Sequence, residues 1–454
     1  MKPPVLSSVV DQDLCIGCGI CAALCPDSTL IMQFNRYGEY NPVSIKECTT
    51  NCGICLKICP FANGNPDEDM IGQQWFGGVP EIHHRPETGF YLETYVGYSN
   101  SKNHREHGSS GGMATWLLES LLEEGVVDAV IAVKHNPDPE KLFKFAIFET
   151  PGEVRSSSGS AYYPVEFSKV VGHILSNPGK YAVIALPCFV KALRLSQLKN
   201  KKLRDRIIII LGLTCGQLKN KQYTTYLAAL AGLEERPVRV NFRGKDPEQP
   251  ANNYFFTCVD RHLKEKRIYQ KEGVSRVWRY RWFTPNACNY CDDVFAECAD
   301  VTFMDAWLPE YSCDSRGTNF LIIRSLDILY FINKRLHSKQ IYLNDIDIFQ
   351  IIQSQRGVFL YKKIFLAYRL HHGKRQKKLV PKKRVMAKNS LNPLNRLKMN
   401  IISEMQNKSK QLIPIKYYSK TDILNNVKNM YWSRVLFDFI RFLEFPLYKY
   451  FKLN

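Results

Sequence analysis

Two cysteine runs near the start constrain this chain more than anything after them. The first reads Cys15-Ile-Gly-Cys18-Gly-Ile-Cys21-Ala-Ala-Leu-Cys25-Pro26, the second Cys48-Thr-Thr-Asn-Cys52-Gly-Ile-Cys55-Leu-Lys-Ile-Cys59-Pro60. C-x2-C-x2-C-x3-C-P is the spacing that wraps three thiolates around one corner of a cubane while the fourth cysteine reaches a second cluster. Reciprocity assigns Cys15, Cys18, Cys21 and Cys59 to one [4Fe-4S] centre, and Cys48, Cys52, Cys55 and Cys25 to the other. Gly17, Gly19 and Gly53 relieve crowding where the backbone bends around sulfide, and Pro26 and Pro60 end each run in a turn. A disulfide framework needs an oxidising compartment, and the start Met-Lys-Pro-Pro lacks the apolar segment of a secretion signal. Zinc ribbons use paired C-x2-C knuckles rather than four-cysteine runs ending in Pro.

The stretch from residue 7 to 62 resembles the two-[4Fe-4S] bacterial ferredoxins. The second run departs from them with C-x3-C in place of C-x2-C, which loosens one loop and bears on the potential of its cluster.

At 454 residues the chain is too long for one core, so two or three domains are expected. A hydrophobic content of 45% with 23% charged residues is that of an ordinary globular protein. No uninterrupted apolar run reaches the roughly 18 residues of a spanning helix. Many free thiols and oxygen-sensitive clusters predict a reducing cytoplasm. The net charge of +19 is concentrated at the end, where residues 331–454 hold 26 Lys plus Arg against 6 Asp plus Glu. The remainder is close to neutral.

Residues 66–92, rich in Asn, Gly, Pro and His, read as a linker. The adjacent His83 and His84 there have the chemistry for metal, although a Pro-flanked loop more commonly leaves such a pair on the surface. From Tyr95 the pattern becomes strand and helix in alternation. Tyr95–Tyr98 reads as a strand, Met113 to Glu124 as a helix with apolar spacing, and Val126–Val133 as a buried strand. Helix 164–175, strand Tyr181–Leu186, helix 189–199, strand Ile207–Leu213 and helix 220–231 follow, then strands Val238–Phe242 and 253–259. This alternation predicts an α/β layered domain with ligand loops at the carboxyl ends of strands. Ser109-Ser110-Gly111-Gly112 falls between a strand and a helix N-terminus, which suits a phosphate or a flavin edge as well as a plain N-cap. A second small-residue loop, Ser156 to Tyr163, precedes another helix. Cys188 and Cys215 follow strands. With Cys288-Asn-Tyr-Cys291 they make four thiolates, the number a third [4Fe-4S] cluster needs; the lone C-x2-C also fits zinc or a redox pair.

Ser-Ser-Gly-Gly before a helix, Gly159-Ser160-x-Tyr162, Leu-Pro-Cys188-Phe-Val-Lys-Ala-Leu-Arg194, Phe242-Arg243-x-Lys245, Cys288-x2-Cys291-x-Asp293 and Ala299-Asp300-x4-Asp305-x-Trp307 occur in order. Over residues 93–325 this set resembles the coenzyme F420 hydrogenase/dehydrogenase beta-subunit family. The resemblance implies FAD and at least one [4Fe-4S] cluster, passing electrons between a cluster chain and a two-electron acceptor. It makes Ser110, Gly111, Gly112, Ser158, Gly159, Ser160 and Tyr162 the flavin candidates, and Cys188, Cys215, Cys288 and Cys291 the third-cluster candidates. Cys298 is the alternative to Cys215 as fourth ligand; Cys258 and Cys313 read as ordinary thiols. The family tends to carry Lys between the positions of Ser160 and Tyr162, where this chain has Ala161, which weighs against coenzyme F420 itself.

The expected architecture is therefore an α/β (α+β) catalytic domain with a mixed sheet, residues 93–175 holding the flavin part and 176–330 the third cluster. A ferredoxin-like domain, 1–65, precedes it, and a basic, mostly helical tail, 331–454, follows. Residues 326–370 read as helical, and 371–388 as a basic arm that is either solvated or docks an acidic redox partner or an anionic membrane surface. The aromatic stretch from Tyr431 fits lying on a membrane or capping the core; nothing beyond charge points to nucleic acid. The expected activity is an iron–sulfur flavoprotein oxidoreductase, cytoplasmic or peripheral at the inner membrane face. The alternative is an electron-transfer subunit serving a partner enzyme, and a third reading is a scaffold with structural clusters. Asp293, Asp305 and Arg243 are polar candidates near the chemistry, with no general acid assigned.

Overall fold

The computed structural model describes residues 1–336, 338–412, 427 and 430–448. Its centre is an eight-stranded mixed sheet. The strands are β1 (Glu93–Ser99), β2 (Ala129–His135), β3 (Phe143–Phe148), β4 (Tyr181–Ala185), β5 (Ile207–Leu213), β6 (Val301–Asp305), β7 (Asn319–Ile323) and β8 (Ile341–Asp345), in the order β8-β1-β7-β6-β5-β4-β2-β3. The four inner strands β6-β5-β4-β2 run parallel, and antiparallel strands finish both edges. β5 is an unbroken Ile-Ile-Ile-Ile-Leu-Gly-Leu because a central parallel strand is covered on both faces.

Helix α1 (Met113–Glu123) covers one face, its Trp116, Leu117 and Leu121 packing with Val130, Ala182, Leu211 and Leu321. Helices α2 (Ser168–Ser176) and α3 (Pro187–Lys199) cover the other. On that side the core continues from Phe167, Phe189 and Val183 into Val5, Ile20, Phe61 and Ile71, so the cysteine-rich module shares a core with the sheet. In that module β-hairpin strands Leu30–Phe34 and Tyr40–Ser44 pair antiparallel, and each cysteine run folds into a single helical turn. Gly19, at φ +79°, starts the first turn where a Cβ would lie 2.4 Å from Glu166 Oε2 and 3.0 Å from the Ser168 amide. That close approach lets the Phe167 amide donate to the Cys18 carbonyl at 2.8 Å.

Residues 66–92 carry more structure than a linker. Asp67 caps helix Glu68–Phe76 by accepting from the Met70 amide at 2.9 Å, and His83–Arg85 pairs with Gly89–Tyr91 in a hairpin. His83 and His84 pack on Tyr91 and Phe90 at its surface. A small antiparallel sheet, Arg239–Gly244, Phe255–Val259 and Glu265–Tyr269, stacks with helix α4 (Lys221–Leu230) and with α5 (Pro393–Gln411) from the tail.

The stretch 326–370 is not continuously helical. Ile341–Asp345 is strand β8, which pairs with β1 at the sheet edge and buries chiefly Ile341. The basic arm is docked rather than free. Arg384, its side chain 9% exposed, binds Glu297 at 2.5 and 3.0 Å and Asp69 at 2.8 Å, and Lys383 reaches Asp292 at 3.5 Å. Among the described residues no helix is long and apolar enough to cross a membrane.

Candidate electron-transfer site

The carboxyl ends of the four parallel strands open onto one cavity of about 650 Å³, the place where ligands bind in open α/β sheets. Both small-residue loops reach it. Ser110, Gly112, Ser158, Gly159, Ser160 and Tyr162 line the cavity, whereas Gly111 packs behind, a Cβ there falling 2.7 Å from the Gly97 carbonyl. The Ser110 hydroxyl donates to the Thr318 carbonyl at 2.7 Å, so it braces the loop. Ser160 Oγ lies 2.8 Å from Ser109 Oγ, joining one loop to the other.

Glu119 on α1 fastens both loops. Its fully buried carboxylate accepts from His104 Nε2 at 2.7 Å, Lys102 at 3.0 Å and Arg155 at 3.0–3.2 Å. Against the burial that opposes charge, the Arg155 and Lys102 cations and the hydrogen bond with His104 hold its carboxyl at about 2.

One wall is aromatic, Tyr162 lying 4.9 Å from Trp278 and 5.5 Å from Phe242. Another is charged: Arg243 binds Asp305 through two bonds of 2.8 Å and covers Tyr254 at 4.5 Å. Despite burial, that carboxylate keeps the guanidinium well above its ordinary value. Among the described residues Arg243 Nε and Thr214 Oγ1 have no hydrogen-bond partner, and both residues line the cavity. Lys219 also lines it, and burial drives its ammonium well below the usual range. Asp293 lies elsewhere, under the neighbouring cysteines, where burial beside Glu297 and Glu68 pushes its carboxyl up to about 7.

The cysteines of the N-terminal module neighbour one another, Cys55 also acting on Cys21 and Cys59, and spacing alone puts Cys48 with its partners. Cys15, Cys18 and Cys21 all sense Cys59, and burial pushes the Cys15 thiol up to about 12. Cys55 senses Cys52 and Cys25. Cys188, Cys215, Cys288 and Cys291 line one small void with Ile16, Phe61 and Lys362. Amides point at sulfur in each group, Gly17 to Cys15 at 3.4 Å, Thr29 to Cys25 at 3.3 Å and Leu218 to Cys288 at 3.3 Å, the hydrogen bonding that tunes a cluster. Cys298 faces away from the void, its Sγ 3.9 Å from the Glu68 carbonyl. Ile16 lines both the void and the cavity, and Cys15 and Cys215 reach the cavity as well.

The family model described as "Coenzyme F420 hydrogenase/dehydrogenase, beta subunit N-term" matches residues 94–172, and its C-terminal counterpart matches 179–348. The chain belongs to the coenzyme F420 hydrogenase/dehydrogenase beta-subunit family. A "4Fe-4S dicluster domain" model matches residues 7–71, so this member of the family is an iron–sulfur electron-transfer protein. A component of the F(420)H(2) dehydrogenase of Methanosarcina mazei is 22% identical over 71% of this chain and 82% of the relative. Coenzyme F420 hydrogenase subunit beta of Methanothermobacter thermautotrophicus is 24% identical over 47% and 72%. A chain from the F420-reducing [NiFe] hydrogenase complex of Methanosarcina barkeri shares the fold at TM-score 0.51 and 17% identity, covering 66% of this chain and 99% of its own.

Sequence reasoning missed Thr214, Lys219, Trp278 and Lys362. Thr214 and Lys219 follow β5 at its carboxyl end, a placement the strand prediction already offered. Trp278 and Lys362 arrive from distant segments and carry no local signal.

Proposed function

We propose that this chain is a flavin- and cluster-containing reductase subunit that accepts single electrons at its ferredoxin-like end and passes them in pairs to an acceptor. The observation that carries the reading is the contiguity of the parts: Cys15 and Cys215 border the same cavity as both small-residue loops, and Ile16 lines both that cavity and the third cysteine void. Cys52 is exposed and belongs to the outermost group, a suitable entry point. Clusters held by the Cys48, Cys15 and Cys188 groups would supply one-electron carriers leading toward the cavity.

The residues fit FAD there. The Ser158–Ser160 and Ser109–Gly112 loops offer small side chains and amides for its polar portion, the Tyr162–Trp278 wall suits a planar ring, and Thr214 and Arg243 supply unpartnered polar atoms. A flavin supplies the conversion between one- and two-electron chemistry that cubanes cannot perform. The Arg243–Asp305 pair orients charge along the cavity, and Lys219 Nζ, held by the Trp282 carbonyl, Gln217 and Thr284, sits where burial disfavours its ammonium. Ala161 lines the cavity without a charge of its own, which favours an acceptor other than an anionic deazaflavin.

A second reading, delivery to a partner protein, is favoured by the final helix. Phe437 and Ile440 pack inward, while Tyr431, Trp432, Val435, Leu436 and Phe439 stay exposed on the opposite side. Such a face suits a redox partner or an anionic membrane surface.

Anaerobic purification with iron, sulfide and flavin measured on one sample tests the main reading. About twelve irons, from three four-iron clusters, and one FAD per chain are expected. About eight irons and no flavin after reconstitution would refute it.

A further inference from the structure

Beside the third cysteine group, positive charge is buried in direct contact with sulfur. Lys362 lines the void, is 2% exposed, and places Nζ 3.2 Å from Cys291 Sγ and 2.6 Å from the Asp293 carbonyl. Neither partner is a carboxylate. Arg281, 6% exposed, faces the carbonyls of Gly216 and Cys288 at 3.5 Å. Some nearby cations outside the void are paired, Lys191 with Glu68 and Lys363 with Glu297, whereas Lys219 bonds the Trp282 carbonyl, Gln217 and Thr284.

A buried ammonium is costly unless negative charge faces it, and the nearest carboxyl, Asp293, is itself pushed upward by burial. Four thiolates on an iron–sulfur core supply the missing charge, and reduction adds one more negative unit. The Cys15 group has mixed surroundings, with Lys191 acting on Cys59 and carboxylates on the other ligands. The carboxylates of Glu39 and Glu166 act on Cys15 and Cys18, and Glu166 packs against the Gly19 backbone. Glu39 is partly offset by Lys410 at 3.3 Å; Glu166 binds the Ser168 amide.

We propose that Lys362 holds the third centre at a higher reduction potential than the Cys15 centre, so that electrons collect beside the cavity instead of at the ferredoxin-like end. This rests on the three-centre reading above. In each transfer the Cys15 centre loses one electron and the third centre gains it, with Lys362 stabilising the added charge and no proton moved. Lys362 is thus a positioning residue for charge. It ends helix Arg356–Lys362, beyond the matched family region that stops at residue 348, which gives the tail a part in setting the direction of flow.

The test is an anaerobic redox titration of the holoprotein followed by electron paramagnetic resonance, with the third centre's signal assigned by its loss in Cys288→Ser. In the wild type the third centre should be reduced before the Cys15 centre; the reverse order overturns the proposal without any Lys362 variant. Lys362→Met should keep about twelve irons and lower the third centre's reduction equilibrium at least tenfold, about 59 mV for one electron. Lys362→Arg should restore most of it. An unchanged midpoint in a fully loaded Lys362→Met chain also overturns it. If Lys362→Met loses the cluster, Glu166→Gln decides: the Cys15 midpoint must rise. Only about eight irons in the wild type would instead sink the three-centre reading itself.

Discussion

Replacing Glu119 with Gln removes the negative charge that ties both cavity loops to α1. The carboxyl is moved from 4.5 to about 2 in the folded chain, which at about 1.4 kcal/mol per tenfold change in proton affinity corresponds to roughly 3 kcal/mol. Two of its cations, Lys102 and Arg155, are 36% and 44% exposed, and solvent screening there reduces the expected loss to about 2 kcal/mol. The folded value lies below the unfolded one, so this contribution is complete above the unfolded value and disappears as pH falls through the folded one. The gap between wild type and Glu119→Gln should be about 2 kcal/mol at pH 7, and narrower by roughly 0.8 kcal/mol at about pH 4. Equilibrium urea unfolding followed by the fluorescence of buried Trp116, one turn away on α1, measures both. A gap under about 0.5 kcal/mol at neutral pH, or one that widens as the solution is acidified, would refute the assignment of Glu119 as the fastening point.

Cys215→Ser should cost about four irons per chain while Cys298→Ser costs none, because only the former borders the void; iron analysis of both proteins decides. Arg384→Met leaves Glu297, Glu68 and Asp292 crowded together and should lower stability by about 3 kcal/mol. A loss below about 1 kcal/mol in urea titration would mean that the arm does not hold the module to the sheet. The paired substitution Trp432→Glu and Phe439→Glu should leave cluster content intact and weaken co-sedimentation with anionic vesicles or a redox partner, and unchanged co-sedimentation would exclude the exposed face.

The cysteine runs were legible because the order of ligands along the chain is itself the coordination pattern. The sheet was legible where burial on both faces makes a strand uniformly apolar, as in Ile207–Leu213. It was not legible at Ile341–Asp345, an edge strand whose polar residues face solvent and whose neighbours are helical. Within the candidate site, Ser158 and Tyr162 were named through the family resemblance, and both line the cavity. The grouping of Cys215 rather than Cys298 with Cys188 depends on which side of β5 and β6 each thiol faces, something spacing cannot encode. The docked state of the basic arm was not legible either, because the acids that neutralise Arg384, at positions 68, 69, 292 and 297, lie far away in sequence.

Lys410 near the end of the chain binds Asp13, 397 residues earlier, at 3.1 Å and Glu39 at 3.3 Å. The strap that seats the cysteine-rich module is therefore made long after the module itself. At about 5–20 residues per second, a ribosome needs roughly 20–80 s to travel between those partners. Through that interval the first two cysteine runs stand in a chain whose closing contacts do not yet exist, open to the delivery of iron and sulfide. The clasp on the module is thus supplied by a segment synthesised long after the cysteines it steadies.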